Sequence, residues 1–289
     1  MAGISASDVK ALRDSTGAGM MDCKRALSDA EGDVDKAMEL LRERGVAKAG
    51  KRAGRDTSEG AVAFAAQGAQ GAVIELGCET DFVAKTPDFQ ALAQGVADAV
   101  AAAGDVPDAD AALGVPMGSG TVAEVIQAAV AKVGENIQLK RVGSVAVKGL
   151  TGGYVHGGGK LGVLVGLETG QSGVDVESVA KDVAMHVAAH DPTPIAIDRE
   201  DMPADVVEKE RAFLTKEAID SGKPEKVVAK IVDGRINKFF AENCLVEQDF
   251  VKDPDKSVRD ILAEAGKAAG GDIKVASFVR FKLGEAVSE

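Results

Sequence analysis

AVIELGCET occupies residues 72–80 and LGVLVGLET occupies residues 161–169. At an offset of 89, Gly77 aligns with Gly166, Glu79 with Glu168 and Thr80 with Thr169. Each stretch follows a glycine-bearing turn, QGAQG at 67–71 and HGGGK at 156–160. Each turn follows a short strand-like run, AVAFAA and GGYVH. Two apolar runs around such a turn are the signature of a β-hairpin, here written twice. Each hairpin then leads into a helical pattern. Phe89, Leu92, Ala93, Val96 and Val100 follow the first, and Val176, Val179, Ala180, Val183 and Val187 follow the second. Both sets keep the i, i+3, i+4, i+7 spacing of one helix face. The centre of the chain therefore reads as two α+β subdomains of similar build. Between them, 121–133 is helical and 136–148 (NIQLKRVGSVAVK) is strand-like.

Working outward, residues 1–45 carry three short helical patterns. Ser5 is placed to cap the first, with Val9 and Leu12 inward and Gly17-Ala18-Gly19 ending it. The second runs from about Met20 to Ala30. Asp33 caps the third, where Val34, Ala37, Met38 and Leu41 share a face and Gly45 marks the expected stop. KAGKRAGRDTSEG (48–60) reads as a basic linker. Beyond the second subdomain, ADVVEKERAFLTKEAIDSG and EKVVAKIVDGRINKFFAEN are two charged amphipathic helices broken at Gly222-Lys223-Pro224. That is a helical hairpin. SVRDILAEAG and DIKVASFVRFKLGE close the chain as a helix and an alternating strand.

Composition bounds the function. The 289 residues are 45% hydrophobic and 28% charged, which is globular rather than disordered. A net charge of −12 argues against a dedicated nucleic-acid binder. The start has no apolar core of a signal peptide, and no run of 18 apolar residues predicts a membrane span. Cys23, Cys78 and Cys244 are odd in number and far apart, so neither a disulfide framework nor a CxxC zinc site is expected. A reducing cytoplasm is the simplest setting.

The motifs that mimic chemistry fail on detail. HVAAH (186–190) has two imidazoles at metal spacing, but it lacks the Glu of HExxH and a nearby third ligand. Cys78 has no adjacent base to activate it. GAGMMDCK (17–24) and GGYVHGGGK (152–160) are glycine-rich, yet neither has the Walker spacing, and no bound cofactor is expected. CETDFVAK (78–85) is different. The chain has nine Phe, one Tyr and no Trp, and it puts one ring, Phe82, at a strand-to-helix junction beside Asp81. In the second copy Gly170 and Gln171 stand at those positions, and the connection to the helix is two residues shorter. The repeated architecture therefore does not require Asp-Phe there. Met20-Met21 raises a similar question, because adjacent residues cannot share one helix face.

The sequence closely resembles the bacterial elongation factor Ts family. The resemblance is carried by TGAGMMDCKRAL (16–27), CETDFVAK (78–85), KVGENIQLKRV (132–142), YVHGGGKLGVLV (154–165), AMHVAAH (184–190) and SGKPEKVVAKIVDGRINKF (221–239), in the family's order. It implies an α+β fold: a ubiquitin-associated-like three-helix domain (1–46), a linker (47–59), core subdomains at 60–148 and 149–198, an inserted helical hairpin (199–250) and a returning helix and strand (251–289). It implies a guanine-nucleotide exchange factor for elongation factor Tu, cytoplasmic and not an enzyme in the bond-making sense. The alternative is a chaperone-like adaptor that binds a partner without exchange. By family match, Thr80, Asp81, Phe82 and Val83 would dislodge Mg²⁺ from the partner's nucleotide site. Arg13, Met20, Met21, Val133, Gly134 and His156 would contact the partner. No direct nucleic-acid or membrane binding is expected, and a homodimer or 2:2 complex could form through the hairpin. The family often has Gln where this chain has Glu79, which adds a charge beside the motif.

Overall fold

The computed structural model describes residues 4–169 and 176–285, with the side chains of a few helical residues (Val46, Lys48, Ala49, Lys51 and Val176) left aside. Gly170 and Gln171, the counterparts of Asp81 and Phe82, lie outside the described residues.

The fold is α+β. Its amino-terminal unit has three helices, α1 (Ala6–Thr16), α2 (Met20–Asp29) and α3 (Val34–Arg52). Ser5 and Asp8 close a capping box at the start of α1, and Gly17 ends it at φ +66°. Val9, Leu12, Cys23, Ala26, Leu27, Ala30 and Ala37 form the small core. The third helix departs from expectation twice. It does not stop at Gly45 but continues to Arg52, so part of the expected linker is helix. Gly45 is instead a point of close approach, where an added Cβ would lie 3.2 Å from that of Ala131. Of the expected inward face, Val34 and Met38 are exposed, while Ala37 is buried and Leu41 packs against the core, joined there by Leu40.

The repeat appears as two three-stranded sheets. The first hairpin is β1 (Glu59–Gln67) and β2 (Gln70–Cys78). It is followed by a single turn α4 (Asp81–Ala84), the long α5 (Pro87–Ala103), a short α6 (Ala109–Leu113), the small ladder β3 (Pro116–Met117) and β4 (Gly120–Thr121), and α7 (Val122–Val133). Then β5 (Ile137–Ala146) pairs antiparallel with β2. The second hairpin is β6 (Gly149–His156) and β7 (Leu161–Thr169), followed by α8 (Val176–Ala189). The helical hairpin α9 (Ala204–Asp220) and α10 (Glu225–Asn243) comes next. After it come β8 (Asp249–Phe250), β9 (Asp253–Ser257), α11 (Val258–Ala269) and β10 (Ile273–Lys282). β10 pairs antiparallel with β7, so the strand orders β1-β2-β5 and β6-β7-β10 match.

Period-two alternation decides what each face of β1 meets. Ala61, Ala63 and Ala65 turn toward α5 and join Phe89, Ala93, Val96 and Val100 in one core. Val62 and Phe64 turn the other way and pack with Val73, Val145 and Leu164. That second cluster lies between the two sheets. Glycine allows the sheets to approach closely: a Cβ on Gly162 would stand 2.5 Å from Val62 Cγ1. The Val62 amide donates to the Gly159 carbonyl at 2.7 Å, a backbone bond from one hairpin to the other. α8 covers the outer face of the second sheet, where Ala180, Val183, Ala184 and Val187 are buried with Val163, Val165 and Leu167.

Candidate functional site

The candidate site grows from the point where β2 runs out. The β2–β5 ladder ends with Cys78 opposite Ile137, and the two chains then part. One becomes α4, only four residues long. So short a helix does not sustain itself, because its nucleation cost is met by external bonds. Thr80 supplies one by accepting from the Val83 amide at 3.3 Å as N-cap. Thr86 donates its hydroxyl to the Val83 carbonyl at 2.8 Å and caps α5 by accepting from the Phe89 amide. Gln90 donates to the Ala84 carbonyl at 2.6 Å. Val83 packs against the core and Ala84 is buried. The turn is thus pinned on its inner side.

Its outer side is presented. Phe82 is 81% exposed, the most exposed large hydrophobic residue among the described residues. Sequence reading left open whether this ring tucks into a local core; it does not. Asp81 binds Lys85 Nζ at 2.6 Å through one oxygen. That bond, with the lysine's charge, holds the Asp81 carboxyl below the usual carboxylate range. An anion next to an exposed ring is therefore kept ionised at neutral pH.

Loop 133–136 faces the same turn. α7 ends at Val133, which is 36% exposed, and Gly134 turns the chain at φ +88°. Glu135 Oε2 accepts from the Thr80 amide at 3.0 Å and its Oε1 from the Thr80 hydroxyl at 2.7 Å. Glu79 Oε1 accepts from the Asn136 amide at 2.6 Å and from Arg55 Nη1 at 3.3 Å. These contacts, the Asn136 amide first, lower the Glu79 carboxyl below its ordinary value. The Glu79 carboxylate is thus held at the loop junction by Asn136 and Arg55. Sequence reading missed Glu135 and Asn136 as contributors, although both lie within the quoted KVGENIQLKRV. Proximity to Gly134 was the only local signal.

The three-helix unit borders this region. The α1–α2 turn reaches Lys132, whose Cδ would lie 3.4 Å from a Cβ on Gly17. Met20 and Met21 are both exposed, by 48% and 65%, and Arg13 is exposed on α1. The methionine pair therefore leaves the bundle core rather than dividing between core and solvent. His156 stands on the other sheet, at the exposed end of β6, where its Nδ1 meets the Tyr154 hydroxyl at 3.0 Å.

The residues that mimicked chemistry have structural partners. His186 is fully buried. Its Nδ1 accepts from the Val251 amide at 3.3 Å and its Nε2 donates to Gln248 Oε1 at 2.9 Å. His190 Nδ1 bonds the Pro192 carbonyl at 2.9 Å. Among the described residues no group of three or more His, Cys, Asp and Glu is placed to hold a metal. Cys78 is buried, and burial, with the charge of Glu135 nearby, pushes its thiol up to about 11. At neutral pH it is an inert thiol.

Two comparisons bear on this geometry. The family model described as elongation factor TS matches residues 79–285, starting at Glu79 beside the exposed turn. The elongation factor Ts of Clostridioides difficile (strain 630) is 45% identical over 292 residues, covering 100% of this chain and 95% of its own length. The chain belongs to the elongation factor Ts family. Other similar relatives of that name are those of Sphingopyxis alaskensis, 47% identical with 100% of this chain and 95% of the relative covered, and Chlorobium phaeobacteroides (strain BS1), 46% identical with 98% and 100% covered. Membership places the chain among translation elongation factors with a nucleotide-exchange role. Among the described residues, no helix of this family member is long and apolar enough to cross a membrane.

Proposed function

We propose that the chain binds elongation factor Tu in its GDP form, disturbs the magnesium and nucleotide site, and so releases GDP for exchange with GTP. The observation that carries this reading is Phe82, an 81% exposed ring on a turn whose inner side is fully bonded. A large apolar group fixed outward is suited to insertion into a partner. Asp81 beside it brings a negative charge toward a bound cation. Met20, Met21 and Val133 supply further exposed apolar contact, Arg13 a cation, and His156 and Gly134 contacts at the rim.

Magnitudes limit what the ring does alone. Inverting a two-state population from 1:99 to 99:1 takes about 5.5 kcal/mol of differential binding. Burying one Phe yields roughly 1.5–3 kcal/mol. The remainder comes from a broad interface, to which residues 1–46 and both core subdomains contribute. Loss of the partner's Mg²⁺ adds leverage, because the ion neutralises phosphate charge. Exchange is reciprocal: a factor that weakens GDP binding is itself weakened by GDP in the same ratio.

The test is direct. Elongation factor Tu loaded with fluorescent GDP is mixed with the chain and excess unlabelled GDP. Saturable acceleration of release supports exchange. Complex formation with unaltered release would overturn it in favour of the adaptor.

A further inference from the structure

The β2–β5 register places Gly77 opposite Gln138 and Cys78 opposite Ile137. Continued by two positions, it sets Glu79 opposite Asn136 and Thr80 opposite Glu135. At those two positions the backbone ladder has ended, and carboxylates take over as acceptors. Glu79 takes the Asn136 amide and Glu135 takes the Thr80 amide, one bond in each direction across the gap. The strands can therefore part into α4 on one side and the end of α7 on the other without leaving these amides unbonded.

We infer that Glu135 is a positioning residue for exchange: its carboxylate fixes Thr80, aims the Asp81–Phe82 turn, and makes that turn one unit with Val133–Gly134. This rests on the exchange reading above. The hydroxyl of Thr80 shows how the aim is set. Its hydrogen is committed to Glu135 Oε1 at 2.7 Å, so its lone pair faces the Val83 amide that it caps. The Thr80 carbonyl accepts from the Ala84 amide at 3.2 Å and from Cys78 Sγ at 3.2 Å. Each polar group of Thr80 is thus engaged, and two of its bonds end on one carboxylate. Charge-assisted bonds of this kind are stronger than neutral ones. Glu135 follows Gly134 directly, so a displacement of the Val133–Gly134 turn is transmitted to Thr80 at the base of α4 through the Glu135 side chain.

The experiment uses the full chain carrying Glu135→Ala, Thr80→Val or Thr80→Ser, or the first two combined. Amide hydrogen exchange on the free protein reads the clamp without a partner. In Glu135→Ala, Val83 and Ala84 should exchange about tenfold faster or more, the loss expected for a hydrogen bond to a charged group, while β2 and α5 amides stay protected. With elongation factor Tu and fluorescent GDP, maximal release should fall by a similar factor and half-saturation should shift by less. Thr80→Val should match Glu135→Ala, the double variant should be no worse than either, and Thr80→Ser should restore much of the loss. Unaltered protection at Val83 and Ala84 would overturn the clamp. Lost protection with unaltered maximal release would show a merely structural bond and overturn the positioning role. If the unsubstituted chain releases no GDP, the exchange reading fails, and with it Glu135's part in exchange. Hydrogen exchange then still decides whether Glu135 sets the turn.

Discussion

Thr80 and Phe82 stand two residues apart and in opposite environments: each polar group of Thr80 is hydrogen-bonded, while Phe82 is 81% exposed. A turn that is anchored at one residue and bare two residues on can lose the bare side chain without losing its shape. Phe82→Ala should therefore leave stability within about 0.5 kcal/mol, as for surface substitutions generally. Maximal GDP release should nevertheless drop clearly, with much of the affinity retained. Stopped-flow release at saturating factor checks this, and release at the unsubstituted rate would remove Phe82 from the mechanism.

A second expectation concerns the three-helix unit. Arg13, Met20 and Met21 face solvent there, far in sequence from the Asp81–Phe82 turn. Deleting residues 1–50 should weaken association with elongation factor Tu much more than it lowers saturated release. Calorimetry gives the affinity, and an unchanged value would show that this unit is not a docking element. The deletion also uncovers part of α7, against which α3 packs near Gly45 and Ala131, so thermal unfolding should be followed in parallel.

What could be read from the chain depended on the range of each interaction. The repeated AVIELGCET and LGVLVGLET disclosed two hairpins with following helices, because turn chemistry and helical periodicity are local. The asymmetry at Asp81-Phe82 marked the exposed ring for the same reason. The partner strands were less legible. That β5 returns to β2 and β10 to β7 depends on pairing across long separations, which no local pattern specifies. Gly45 was misjudged because a glycine that lets two helices approach looks the same in sequence as one that ends a helix. Glu135 was invisible as a clamp for a related reason. Its partner Thr80 lies 55 residues away, and only the ladder register brings them together.

The sheets are also joined by a largely buried ion pair. Glu75 Oε2 accepts from Arg141 Nε at 2.8 Å, and its Oε1 accepts from the Gly284 amide at 3.2 Å. Arg141 Nη2 donates to the Lys282 carbonyl at 2.7 Å, and its guanidinium lies 4.4 Å from the centre of the Phe281 ring. One pair thus ties β2 and β5 to the end of β10. Removing one partner leaves the other charge buried and unpaired, which typically costs about 3–5 kcal/mol. Glu75→Ala should lower the urea midpoint accordingly. A loss below about 1 kcal/mol, the range of exposed pairs, would show that water compensates Arg141.

Acid sensitivity should trace to His186. Its Nδ1 accepts from Val251 and Gln248 offers only an acceptor to Nε2, because the Gln248 amide nitrogen already donates to the carbonyls of Pro192 and Glu242. That arrangement fits a neutral ring with the proton on Nε2. A second proton on Nδ1 would face the Val251 N–H. Burial accordingly lowers the imidazole from 6.5 to about 4, with Gln248 opposing and His190 adding slightly. The unfolded chain therefore binds a proton near pH 6.5 that the folded chain refuses until about pH 4. Stability from this residue is complete above pH 6.5, falls as the pH drops, and levels off below pH 4. The total loss is on the order of 3 kcal/mol. In His186→Gln that contribution is absent, while the carboxylates that titrate in the same range remain. Urea unfolding at pH 7.5, 5.5 and 4.5 should therefore show a steeper decline for the unsubstituted chain than for the variant. Equal slopes would mean that the folded imidazole accepts its proton as readily as the unfolded one.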